Sequence, residues 1–323
     1  MTGPAPHRSI RRVSMLLAAA ILVLAGTGIV VATGNALHVF TPTRADQITN
    51  IDILRMEIKN YYGTTDATTG SGATAGWTLP LNRSSNYADE ARAVAKSGWK
   101  YLKAKDGKLP MQAVVFDVDD TTLTTFDYEL YSNWDYVPTT NGYFVGLTSG
   151  AFTGNVFPRT PGMLWLARKA HDAGYAIFFI TGRGDAQHQA TIANLIDDVT
   201  AGYADLTTTT SAGLSAQVPE VDAHYPMPTS INTGHGGFTD GLFTKPPVGL
   251  YPAYLDKARY CASYIHATTP VSCPTIQYKS GTRAYIESLG YHIVANFGDQ
   301  FSDLKGGHAL KTFKMPNPNY YLP

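Results

Sequence analysis

Three acidic residues in four positions follow an apolar run in Phe116-Asp117-Val118-Asp119-Asp120-Thr121-Thr122-Leu123. Carboxylates that close, at the end of a buried element, repel one another strongly unless a cation sits among them. A hard divalent ion bound through carboxylate and backbone oxygens is the physical remedy, and Mg²⁺ has that preference. Taken alone, the segment also fits an acidic loop or a helix-capping cluster. A second acidic pair, four residues apart, lies in Phe297-Gly298-Asp299-Gln300-Phe301-Ser302-Asp303-Leu304 and again suggests a metal site. Ile180-Thr181-Gly182-Arg183-Gly184-Asp185 combines a hydroxyl, a glycine and a helix start, donors suited to a phosphate, although Thr-Gly after a strand is also ordinary turn chemistry. Tyr278-Lys279-Ser280-Gly281-Thr282-Arg283 sets a lysine just before a helical stretch, where a solvated side chain is the default.

The elements that must carry these groups can be read from periodicity. Ala113–Phe116, Tyr175–Ile180 and His292–Phe297 are short continuous apolar runs, the pattern of strands buried on both faces. Between them, Met163–Ala173, Ala186–Val199 (with Asp185 as N-cap) and Arg283–Leu289 have helical character. Buried strands alternating with amphipathic helices predict an α/β fold with a parallel sheet and right-handed crossovers. In such sheets ligands bind at the strand C-terminal ends, where each acidic or Thr-Gly segment falls. Upstream, Ile48, Ile51, Leu54, Ile58 and Tyr61 form one helical stripe over 44–62. A second helix is expected over 86–105, with Asn86 as N-cap and Tyr87, Ala91, Val94, Ala95, Trp99 and Leu102 facing the core.

A strand-end DxDxT, a strand-end threonine, a lysine and a strand-end DxxxD, in that order, resemble the four motifs of the haloacid dehalogenase (HAD) superfamily. The blocks are most similar to its secreted acid phosphatases, the class B, class C and plant vegetative-storage-like group. The resemblance runs over about 45–323 and includes the tail Met315-Pro-Asn-Pro-Asn-Tyr-Tyr321. It implies a HAD-like Rossmannoid parallel sheet flanked by helices, with a small aromatic-rich cap and an N-terminal helical extension. It also implies a Mg²⁺-dependent acid phosphatase. On that resemblance Asp117 is the nucleophile that becomes an aspartyl-phosphate, and Asp119 the group that protonates the leaving oxygen and then activates water. Such an acid needs a raised pKa, which crowding by Asp117 and Asp120 would supply. Asp117, the Asp119 backbone carbonyl and Asp299 would hold Mg²⁺, with Asp303 more as support than as a direct ligand. Thr181, Gly182, Arg183 and Lys279 would bind the substrate phosphoryl group. The long separation between Thr181 and Lys279 departs from the family pattern and bears on the shape of the entrance.

The expected organisation is a signal peptide or membrane anchor over 1–36, a helical extension over 37–110 and the phosphatase core over 111–323. Within the core, 124–160 forms the cap and 203–249 a long Thr/Gly/Pro-rich loop insertion, the kind of segment that serves as a lid or binding loop. Cap aromatics such as Phe126, Tyr128, Trp134, Tyr136, Tyr143, Phe144, Phe152 and Phe157 could stack a nucleobase or aryl leaving group, or simply pack a small cap core.

Composition narrows the class further. The 323 residues carry 25 basic and 25 acidic side chains, and a balanced charge argues against a nucleic-acid partner. With 44% hydrophobic residues, disorder and collagen-like structure are excluded as global classes. Arg8, Arg11 and Arg12 precede a charge-free apolar run with small residues at its exit. That pattern fits a cleaved export signal better than an uncleaved anchor, though the run is long enough to span a bilayer. Cleavage would remove three of the 25 basic residues, leave a mildly acidic protein and place it outside the cytoplasm without stable membrane association. Cys261 and Cys273, the only cysteines, read as one disulfide in an exported chain. No His or Cys cluster has zinc-ligand spacing. The sequence leaves open transfer of the phosphoryl group to an alcohol acceptor, a non-catalytic storage or binding role on the same fold, the physiological phosphomonoester and the oligomeric state.

Overall fold

The structure, a computed structural model, describes residues 41–64, 82–138, 141, 157–196, 225–231, 238–256, 260–267 and 269–321. The expected export segment, residues 139–140 and 142–156 of the expected cap, and residues 203–224 and 232–237 of the expected insertion lie outside the described residues. The chain divides into two compact units, Met1–Ile51 with Pro323, and Asp52–Leu322. In the first, a short 3₁₀ turn over Ala45–Gln47 is fastened by the Gln47 side-chain oxygen, which accepts from the backbone of Thr43 at 2.8 Å.

The second unit is built around a five-stranded parallel sheet in the order β3-β2-β1-β4-β5. The strands are β1 (Gln112–Phe116), β2 (Ala176–Gly184), β3 (Leu242–Lys245), β4 (His292–Gly298) and β5 (Thr312–Lys314). All five β1 residues are buried, as expected of an apolar run at the centre of a parallel sheet. Because strand side chains alternate, β1 feeds two cores: Val114 and Phe116 join one, Ala113 and Val115 the other. Phe116, Phe297 and Phe313 stack across β1, β4 and β5, with ring centroids 5.2 Å and 4.6 Å apart.

Among the described residues the helices include α1 (Ile51–Tyr62), α2 (Asn86–Lys105), α3 (Phe126–Tyr131), α4 (Met163–Asp172), α5 (His188–Ile196), α6 (Ala262–Ile265), α7 (Thr275–Ser288) and α8 (Phe301–Leu304). Helix α2 presents the expected face: Tyr87, Ala91, Ala95 and Leu102 are buried, and Val94 and Trp99 pack at its margin. Its cap is Ser85, one residue earlier than expected, whose hydroxyl accepts from the Ala88 N–H. Asp185 likewise caps nothing, because β2 runs on to Gly184 and a 3₁₀ turn over Asp185–Gln187 precedes α5.

The stripe expected over 44–62 is only half realised. The helix starts at Ile51, and Ile48, Ile51 and Leu54 are exposed. Burial comes in the last turns: Ile58 and Tyr62 are buried, and Tyr62 stacks on Phe126 at 3.8 Å and on Tyr87 at 4.3 Å. The insertion expected over 203–249 is not loop throughout. It contains edge strand β3, and Thr229 holds the Ile177 backbone through both its N–H and its side-chain oxygen. Tyr225 is buried there and donates its hydroxyl to the Thr122 carbonyl at 2.6 Å. A four-residue strand after a glycine is too short to show a period, so only pairing with β2 reveals it. Strand β5 escaped notice for the same reason. Cys261 and Cys273 form the expected disulfide, buried in the second core.

Candidate active site

The chemistry collects at the C-terminal ends of β1, β2 and β4. The Asp117 N–H donates to the Phe297 carbonyl at 2.9 Å, so the chain leaves β1 still tied to β4. It then turns sharply: the N–H groups of Thr122 and Leu123 both donate to the Val118 carbonyl, and the Thr122 hydroxyl donates to the Asp117 carbonyl at 3.1 Å. Asp120 stands inside this turn at φ +52°, and its buried carboxylate accepts from both the N–H and the hydroxyl of Thr125. Asp120 is therefore the residue that fixes the loop. Burial pushes its carboxyl up to about 6, against the Thr125 bonds that favour the charged form.

Asp117, Asp299 and Asp303 are all buried, and each offers a carboxylate oxygen within 4.8 Å of the others. Asp299, just past β4, accepts from the side chains of Gln300 (2.6 Å), Asn317 (2.7 Å) and Thr121 (3.3 Å). Asp303, in the first turn of α8, accepts the Gln300 N–H at 2.7 Å and Lys279 Nζ at 2.6 Å. Lys279 Nζ also reaches Asp117 Oδ1 at 2.5 Å. Burial alone would lower the lysine, but Asp117 and Asp303 outweigh it and keep the ammonium protonated. Burial and then Asp303 push Asp117 well above the usual carboxylate range, with Lys279 opposing, and the same two causes lift Asp299 to about 7. Three buried hard oxygens whose mutual repulsion is only partly offset by one lysine fit a divalent cation.

Lys279 does not precede a helix as expected. It sits in the second turn of α7, which begins at Thr275 behind Pro274. The polar run from Thr275 to Arg283 hides this helix in the sequence, and Gly281 lets it lie close, since a Cβ there would stand 2.8 Å from Leu255 Cδ2. Asp119 is separate from the carboxylate cluster. Its side chain, 28% exposed, is gripped by Arg183, whose Nε and Nη2 approach it at 3.0 Å and 2.6 Å. Arg183 is held in turn by Thr191 at 3.1 Å and lies over the Phe157 ring. Burial and neighbouring like charge act on Asp117, Asp120 and Asp299, while the Arg183 guanidinium faces Asp119. Thr181 is fully buried with its hydroxyl oxygen accepting from the Arg183 N–H, whereas Gly182 is exposed at the mouth.

Several residues at the site carry no signal that sequence reasoning used. Arg283, in α7, is buried and donates to the carbonyls of Asp303 (2.6 Å), Gly307 (2.9 Å) and Lys305, clasping the loop that carries Asp303. Asn317 and Gln300 stand inside the motif blocks, yet only the fold brings them onto Asp299. Glu129, on α3, is buried, and burial followed by Asp120 and Asp119 lifts it to about 8. Of the cap aromatics, Phe126, Tyr128 and Phe157 are buried, so packing accounts for them, while Tyr143, Phe144 and Phe152 lie outside the described residues. A cleft of about 420 Å³ opens beside Asp299, walled by Phe301, Tyr320 and Tyr321 rather than by cap residues.

Comparison with known proteins follows the same lines. The family model for the HAD superfamily, subfamily IIIB (acid phosphatase), matches residues 74–220 and 265–323. Acid phosphatase 1 of Solanum lycopersicum is 26% identical over 238 residues, 73% of this chain and 69% of that protein. The stem 28 kDa glycoprotein of Glycine max is 46% identical over 55 residues, and the match spans 16% of this chain and only 22% of the soybean protein's length. Among solved structures, the class C acid phosphatase from Bacillus anthracis aligns with a TM-score of 0.42 at 18% identity, covering 72% of this chain and 80% of that one.

Proposed function

Because this chain belongs to subfamily IIIB of the HAD superfamily, the acid phosphatases, we propose that it hydrolyses small phosphomonoesters with Mg²⁺ through a phosphorylated Asp117. The observation that carries the reading is the convergence of Asp117, Asp299 and Asp303 at the ends of two adjacent strands, with Asp117 and Asp303 both on Lys279. An isolated acidic loop would not bury three carboxylates together beside a buried lysine.

In this mechanism an Asp117 oxygen attacks phosphorus while the bond to the leaving oxygen breaks. Asp119 gives that oxygen a proton, then removes one from the water that attacks the aspartyl-phosphate, so each residue returns to its starting state as phosphate leaves. Arg183 orients Asp119 for both transfers and is withdrawn from direct substrate binding. Thr181, Gly182 and Lys279 receive the phosphoryl oxygens, Lys279 as a point charge that counters developing negative charge. Asp117, Asp299 and the Asp119 backbone carbonyl would hold Mg²⁺, with Asp303 in support. When bound, the ion neutralises phosphoryl charge and relieves the repulsion among the aspartates.

The test is hydrolysis of p-nitrophenyl phosphate across pH. Activity should depend on added Mg²⁺, vanish with EDTA and be absent from purified, folded Asp117→Asn. Turnover by that variant at anything near the native rate contradicts the assignment. Export from the cytoplasm is part of the same reading, supported by the Cys261–Cys273 disulfide, which persists best under oxidising conditions. No helix among the described residues is long and apolar enough to cross a membrane. N-terminal sequencing of the protein from the culture medium checks it; recovery only from the cytosol refutes it.

A further inference from the structure

Beyond the motif residues, one more cation stands at the same end of the sheet. Lys245 is the last residue of β3 and pairs in register with Gly184, the last residue of β2, three positions past Thr181. Its Nζ lies 3.5 Å from the hydroxyl of Thr275, the first residue of α7. The Thr275 methyl is also the one atom that a Cβ on exposed Gly182 would approach, at 3.8 Å. Gly182, Thr275 and Lys245 are therefore close neighbours, on the side of the site where the phosphoryl group is proposed to bind.

Lys245 differs from Lys279 in what it faces. Lys279 has two carboxylates on its ammonium; among the described residues Lys245 has none. The nearby Asp185 is occupied by the Thr244 hydroxyl, which donates to it at 2.7 Å. Burial, and then the like charge of Lys279, press the Lys245 pKa downward. A half-buried cation with a cationic neighbour and no counter-ion is relieved by an anion arriving with the substrate.

We propose that Lys245 is a specificity-determining residue that binds a second anionic group, a carboxylate or another phosphate, on the leaving group of the ester. The proposal rests on the phosphatase reading above and names the class of ester the site prefers. Strand β3 is thus a part of the site that the four motifs do not include.

The experiment compares kcat/KM for phenyl phosphate, 3-carboxyphenyl phosphate and 1,3-phenylene bisphosphate, whose phenols leave with similar ease. The native protein should favour one or both anionic esters over phenyl phosphate by roughly tenfold, the scale of a hydrogen bond to a charged group. Lys245→Met should collapse that ratio towards one, and Lys245→Arg should retain most of it; Lys245→Gln replaces the Met variant if the latter does not fold. The two anionic esters separate carboxylate from phosphate recognition. Turnover of phenyl phosphate with a native ratio at or below one overturns this inference alone. So does a Lys245→Met variant that keeps the native ratio, or one that loses activity equally on all three esters. Turnover of none of the three overturns the phosphatase reading and this inference with it.

Discussion

Replacing Lys279 by Met separates the charge of this residue from its bulk. Met has nearly the same length and fills the space with little strain, so the change removes an ammonium and little else. The side chains concerned are almost out of solvent: Lys279 is 5% exposed, Asp117 6% and Asp303 1%. Removing one partner of a buried ion pair costs about 3–5 kcal/mol, because the partner left behind is charged and uncompensated. Here Asp117 has an escape, since a carboxyl already lifted by burial and by Asp303 can take up a proton. A group whose folded pKa lies above its unfolded value stabilises the fold at low pH, and that stabilisation is lost as pH rises through the folded pKa. Lys279→Met should therefore unfold nearly as the native protein does at about pH 5, and show the full deficit at about pH 8. A divalent ion replaces the missing charge, and Mg²⁺ at about 100 times its Kd should return about 2.7 kcal/mol. Urea unfolding with EDTA at both pH values, then with Mg²⁺ at the higher one, measures all three quantities. A deficit below about 1 kcal/mol at the higher pH, or one independent of pH, would refute the electrostatic account of the site.

Other perturbations test neighbouring parts of the argument. A Cβ on Gly298 would stand 2.2 Å from the Asp303 Cβ, so Gly298→Ala must displace Asp303; kcat should fall by about 100-fold or more, as measured on protein shown to be folded by circular dichroism. With Asp299 lifted to about 7, a metal must displace a proton at lower pH. Calorimetric titration with Mg²⁺ should show affinity weakening by up to about tenfold per pH unit below neutrality, and a flat profile would count against Asp299 as a ligand. Cys261 and Cys273, 12 residues apart, close a short loop; replacing both by Ser should cost on the order of 3 kcal/mol in urea unfolding, with no further effect of reductant.

The sequence by itself determined the parallel α/β core and its chemical end. Ala113–Phe116, Tyr175–Ile180 and His292–Phe297 are apolar on both faces, and only burial at the centre of a sheet accommodates such runs. The acidic and Thr-Gly segments follow these strands directly, so local order alone places Asp117, Thr181 and Asp299 at the C-terminal end of the sheet. The Cys261–Cys273 pairing was legible too, because two cysteines admit one bond. What the sequence could not carry is contact between segments far apart in the chain. Short edge strands such as Leu242–Lys245 and Thr312–Lys314 have no detectable period and exist by pairing with strands already in place. Helix α7 is concealed by polar residues, because its buried face consists of groups such as Lys279 and Arg283 whose charges are met by the site and by the Asp303 loop. The partner of Asp119 is Arg183, 64 residues on, and that of Asp299 includes Asn317 from the tail. Which carboxylates share a proton or a cation, and which is fastened by an arginine, follows from distances of a few ångströms that only the packed tertiary structure sets.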